Sequence, residues 1–158
     1  MIRNILIFLL LNILFLSAAE LKIVSESFEG NEKKGVTIFK GNVRIALESD
    51  EMNASRVTVY TSKDHIPYKY IAEGNVSFYI QTKSKASYEG RAQKAIFMPN
   101  DSVYEFYKDV QLRQLNEHKM ISGDEVVVNI KDGTARAKGA EKEPVVMILH
   151  IRDRNESK

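Results

Sequence analysis

The sequence has no cysteine, no tryptophan, and only three prolines and three histidines. Without cysteine there is neither a disulfide framework nor a thiolate metal site, so any fold rests on packing and backbone hydrogen bonds. The histidines, His65, His118 and His150, show no metal-ligand spacing. A serine nucleophile would need a G-x-S-x-G strand-turn-helix context, and there is none. The carboxylate pairs Asp50-Glu51 and Asp124-Glu125 are adjacent, so strand geometry would turn their side chains to opposite faces. Glycoside hydrolysis needs two carboxyl groups facing each other across a bond. The expectation is therefore a protein that is not an enzyme and needs no cofactor or metal. An excess of one charge is also missing, with 23 Lys+Arg against 21 Asp+Glu. Nucleic-acid binders carry a clustered basic surplus, so no nucleic-acid partner is expected.

Long apolar runs are absent but for one. Ile5 to Leu16 is apolar except at Asn12, follows Arg3, and ends in Ser17-Ala18-Ala19. A basic start, a short apolar stretch and a small-residue exit form a secretory signal peptide. The run falls short of the ~20 residues that span a bilayer; the alternative is an uncleaved anchor. Residues 1–19 are thus expected to direct export, 20–149 to form one domain, and 150–158 to form a polar tail.

The rest of the chain is built from short alternating runs rich in Val, Ile, Tyr, Phe and Thr, separated by polar turn clusters, which is the strand signature. Val43, Ile45 and Leu47 share one face, as do Val57 and Val59, Val76, Phe78 and Ile80, and Val126, Val128 and Ile130. Pro67, Pro99-Asn100-Asp101-Ser102, Lys131-Asp132-Gly133 and Pro144 break the runs. Helical spacing is not sustained anywhere after residue 20, so the domain is expected to be all-β.

A repeat organises these strands. Phe39-Lys40-Gly41-Asn42-Val43-Arg44-Ile45 returns as Ala72-Glu73-Gly74-Asn75-Val76-Ser77-Phe78, at a spacing of about 33 residues. A weaker copy follows at Tyr107-Lys108-Asp109-Val110-Gln111-Leu112, and a second recurring strand lies between the copies, as in Ala54-Ser55-Arg56-Val57-Thr58-Val59. Gly takes positive φ freely, and Asn tolerates it better than most residues. Between two extended runs the pair bends or bulges a strand without ending it. The alternative is a tight hairpin, but such hairpins favour Asn before Gly, the reverse of the order here.

In these features the sequence resembles the LptA/OstA-like family. The matching segments are Ile38-Phe39-Lys40-Gly41-Asn42-Val43, Ile71-Ala72-Glu73-Gly74-Asn75-Val76, Ile121-Ser122-Gly123-Asp124 and Gly133-Thr134-Ala135-Arg136-Ala137-Lys138-Gly139. The third copy departs from the pattern, with Lys108-Asp109 in place of Gly-Asn, so a looser bend is expected there. The resemblance implies an incomplete antiparallel β roll, jelly-roll-like, with two sheets folded into a V. It also implies a periplasmic carrier of lipopolysaccharide that shields lipid A acyl chains. The implied partners are an LptC-like protein at the inner membrane, an LptD-like protein at the outer membrane, and further copies joined head to tail.

The expected lining is Val43, Ile45, Leu47, Val57, Val59, Val76, Phe78, Ile80, Phe97, Phe106, Val110, Leu112, Val126, Val128 and Ile130. Alternation alone would make these a closed core; the resemblance makes them the walls of a trough. The expected interface comprises Leu21, Ile23, Val145, Val146, Met147 and Ile148, in short apolar edge strands that invite pairing with another chain. Lys33, Lys34, Lys40, Arg44, Lys83 and Lys85 are available to meet phosphates. The rival reading is a secreted structural or adhesion module binding a protein or polysaccharide through surface aromatics such as Tyr60, Tyr68, Tyr70, Tyr79 and Tyr88.

Overall fold

The computed structural model describes residues 20–82 and 85–151, so the expected signal peptide and most of the polar tail lie outside the described residues. Among the described residues, ten strands follow one another with a single 3-10 turn (Glu32–Lys34) between them. They are β1 (Leu21–Val24), β2 (Ser27–Asn31), β3 (Val36–Leu47), β4 (Asp50–Thr61), β5 (Pro67–Gln81), β6 (Ser87–Met98), β7 (Val103–Gln114), β8 (Lys119–Asn129), β9 (Thr134–Lys138) and β10 (Val146–Leu149). All pair antiparallel, in the order β1-β3-β4-β5-β6-β7-β8-β10, with β2 also on β3 and β9 also on β8. Because β1 and β10 do not pair with each other, the sheet never closes into a barrel.

The short runs of the sequence are halves of longer strands, each bent near its middle. Lys40 pairs with Arg56 and Val43 with Ala54, so Gly41 and Asn42 face Ser55 alone. The same two-against-one step sets Gly74-Asn75 against Gln93 and Lys108-Asp109 against Asp124. These are β-bulges, which kink a strand while keeping it in the sheet. The Gly-Asn pairs are therefore bends and not hairpins. Both members of each pair have positive φ: 81° and 44° at Gly41-Asn42, and 81° and 48° at Gly74-Asn75. The expectation of a looser third bend is corrected, since Lys108 and Asp109 adopt 63° and 52°. Flanking ladders to β6 and β8 hold them there despite the missing glycine.

Aligned across the strands, the bends fold one sheet into two facing walls. Wall A holds β1, the C-terminal halves of β3, β5 and β7, the N-terminal halves of β4, β6 and β8, and β10. Wall B holds β2, the complementary halves, and β9. In β3, β5 and β7 the inward residues flanking a bend are four apart (Phe39 and Val43, Ala72 and Val76, Phe106 and Val110). In β4 and β6 they are three apart (Ala54 and Val57, Ala92 and Ala95). The even strands thus switch side-chain parity at the bend, which keeps both walls apolar on the inside. Among the described residues no helix is long and apolar enough to cross a membrane.

Candidate functional site

The space between the walls is lined by transverse rows of residues paired strand to strand. On wall B one row runs Phe39, Val57, Ala72, Ala95, Phe106, Val126 and Ala137. On wall A the facing row runs Ile23, Ile45, Met52, Phe78, Gly90, Leu112, Ile121 and Met147. Both rows are apolar, and their few small residues (Ala72, Ala95 and Ala137 on wall B, Gly90 on wall A) leave room for the large side chains around them. The Phe78 ring of wall A stacks on the Phe106 ring of wall B, with centroids 4.0 Å apart and planes at 18°.

Of the fifteen residues expected to line the interior, all are buried except Ile45, Leu47, Phe97 and Ile130. Ile45, Phe97 and Ile130 are half-buried and pack against the cluster. Leu47 is half-buried at the rim, and Ile130 lies just beyond the end of β8. Sequence reasoning missed Ala54, Ala72, Ala92, Ala95, Tyr88 and Tyr104, which are also buried in this cluster. The signal was present in the alternation of Tyr88, Gly90 and Ala92 and of Tyr104 and Phe106, but small residues and tyrosines do not announce an apolar face.

Toward the long open side of the V the lining changes character. Tyr70, Phe97 and Tyr104 occupy paired positions on wall B, and Phe97 stacks on Tyr104 at 4.3 Å. Opposite them Leu21, Leu47, Ile80 and Asp50 bound a narrow apolar cleft. Asp50 accepts a hydrogen bond from the Gln81 backbone N–H at 2.8 Å and another from the Tyr104 hydroxyl at 3.2 Å. Burial raises the Asp50 carboxyl above its ordinary value, and Glu48 nearby adds to the shift; the two hydrogen bonds oppose it. Burial, with the Asp50 charge beside it, pushes the Tyr104 phenol far up.

The expected interface residues lie at the two ends of the sheet. Leu21 and Ile23 belong to β1, at one edge of wall A; Val146, Met147 and Ile148 belong to β10, at the other, and Val145 just precedes it. All except half-buried Ile23 are exposed. Each end has a second edge, not foreseen: β2 beside β1, and β9 beside β10. Among the described residues the basic candidates lie in separate elements and form no single cluster. Lys40 lies near Glu29 at 3.8 Å, Arg44 donates to Asn53 at 3.3 Å on the outer face, Lys33 and Lys34 sit in the 3-10 turn, and Lys83 is outside the described residues. Among the described residues no three His, Asp or Glu side chains cluster as a metal site would require.

An open roll of bent antiparallel strands, apolar within and unpaired at both ends, defines the class of LptA-like β-jellyroll domains. Residues 22–134 match the family described as LptA/LptD N-terminal domain LPS transport proteins, and the chain belongs to that family. Its fold is similar to the crystal structure of LptH from Pseudomonas aeruginosa, described as the LptA-homologous periplasmic component of the lipopolysaccharide transport device. The TM-score is 0.74 at 14% identity, over 84% of this chain and 96% of that one. No curated protein matches the sequence.

Proposed function

We propose that this chain is a periplasmic carrier that shields lipid A acyl chains between its two walls and passes lipopolysaccharide from an inner-membrane complex to an outer-membrane one. An exposed CH₂ costs about 0.8 kcal/mol, so one long acyl chain in water costs roughly 10 kcal/mol. A carrier must supply a continuous apolar surface reachable along its length. The observation that carries this reading is the convergence of apolar residues from β3 to β8 on one interior between walls that remain unclosed.

Handover follows from the ends. Edge strands carry unpaired N–H and C=O groups, and a strand from a neighbour satisfies them. In this reading β1 and β2 of one molecule meet β9 and β10 of the next, and the same edges engage LptC-like and LptD-like partners. The membership in a lipopolysaccharide-transport family supports the assignment.

The test is photocrosslinking in cells, with a photoreactive residue at buried Phe78 and a control at exposed Ser77 on the opposite face. A lipopolysaccharide adduct at Phe78 with little at Ser77 is expected. A folded, exported protein giving no adduct at Phe78, Leu112 or Val128 would remove the carrier reading and leave a closed β module.

A further inference from the structure

Two stacked rings with centroids 4.0 Å apart are in van der Waals contact, so no acyl chain lies between Phe78 and Phe106 without the walls parting. Most contacts between the walls are apolar, and an entering apolar chain replaces such contacts with equivalent ones. The bond between Asp50 and Tyr104 is different. It is directional, it joins residues 54 positions apart in sequence, and its partners stand on opposite walls. Asp50 begins β4 and lies in the outermost row of wall A, paired with Leu47. Tyr104 pairs with Phe97 and Val128 on wall B.

We propose that the Asp50–Tyr104 hydrogen bond is a clasp across the long opening of the trough, closed when the walls are in contact and released when an apolar chain enters. That an apolar chain enters at all rests on the carrier reading; the clasp itself rests on the geometry.

Three features suit the pair to this task. The Gln81 N–H holds the Asp50 carboxylate in place from the same wall, so the acceptor stays put when the walls move. Asp50 is only partly buried, which lets water replace the Tyr104 hydroxyl on release and leaves no buried acceptor unpaired. Tyr104 is ringed by apolar neighbours, stacking on Phe97 at 4.3 Å and aligned with Phe106 at 6.1 Å. Losing its bond therefore leaves the ring seated on wall B as part of the lining.

The chain has no cysteine, so paired spin labels can be placed without background. Ser49→Cys in the β3–β4 turn of wall A and Asp101→Cys in the β6–β7 turn of wall B are exposed sites on either side of the opening. Pulsed dipolar spectroscopy on the full labelled chain reads the wall separation, and uptake of the fluorescent probe phenylnaphthylamine reads entry. Tyr104→Phe keeps the ring and removes the bond; Asp50→Ala removes the acceptor. Each is expected to shift the separation outward by several ångströms and to speed probe uptake severalfold, and the double variant to do no more than either alone. An unchanged separation in both folded variants overturns the clasp, as does failure of both to fold, which would make the bond a structural necessity. A shifted separation with no probe uptake in any form, the parent included, leaves the clasp standing and removes the carrier reading.

Discussion

Gly90 sits on β6 directly beneath the Phe78 ring. A Cβ at this position would lie 2.1 Å from the Gln111 carbonyl oxygen and 2.7 Å from the Phe78 ring. One of those neighbours is backbone and cannot turn aside, so Gly90→Ala is expected to lower stability by about 2–3 kcal/mol, as overpacking of a filled core does. Urea unfolding checks this; a loss under half that size would mean that β6 and β7 slide freely. Asp50 supplies a second prediction at this scale. Its carboxyl is raised above 3.8 by burial, so the folded chain holds the proton more tightly than the unfolded one. Stability from this group therefore falls as pH rises from the unfolded value through the raised folded value. Asp50→Asn has no such ionisation, so the stability of the parent relative to this variant should decline with pH across that window. Unfolding curves at a series of acid pH values test it, and a difference that grows with pH would contradict the assigned cause.

At the scale of the strand, the bends decide the architecture. Lys108 carries a side chain at φ 63°, where Gly41 and Gly74 stand in the other two copies. A non-glycine residue in this region costs roughly 1–2 kcal/mol, part of which glycine returns through the unfolded chain. Lys108→Gly is thus expected to stabilise the protein by about 0.5–1 kcal/mol, seen as a raised thermal midpoint, and a lowered one would show that the Lys108 side chain contributes more than its backbone costs. Bends in the odd strands were legible because Gly-Asn in that order is a poor hairpin turn and recurs. Those in the even strands were not, because Ala54-Ser55 and Ala92-Gln93 need no positive φ and leave no mark. The third bend was misjudged for a related reason: neighbouring ladders impose a conformation that Lys108 and Asp109 would not choose alone. Val43, Val76 and Val126 were legible as inward residues, since β-branched alternation is strong. Tyr104 and Asp50 were not, since polar atoms in an apolar lining have no periodic signature.

For the whole molecule, the edges matter most. The β10 residues Val146, Met147, Ile148 and Leu149 are all exposed although apolar, and among the described residues no strand pairs with their outer backbone groups. If that edge joins copies, Ile148→Pro should weaken self-association by at least tenfold, because proline removes a backbone donor and sits badly inside a ladder. Sedimentation at increasing concentration measures this, with circular dichroism confirming that the sheet persists. Association unaffected by the change would move the contact to β9 or to the other end.

The parity switch at each even-strand bend has a consequence for how such a molecule can change size. A single strand cannot be added or removed, because its neighbour would then meet a bend of the wrong kind and turn its apolar residues outward. A hairpin of one bent strand of each type can, since it restores the pattern it interrupts. Length therefore comes in quanta of about 33 residues, each adding two strands and, at ~4.8 Å per strand, close to 10 Å of groove. Gene duplication or deletion in that quantum would yield longer or shorter conduits with every register intact, and an engineer could set the span by the same rule.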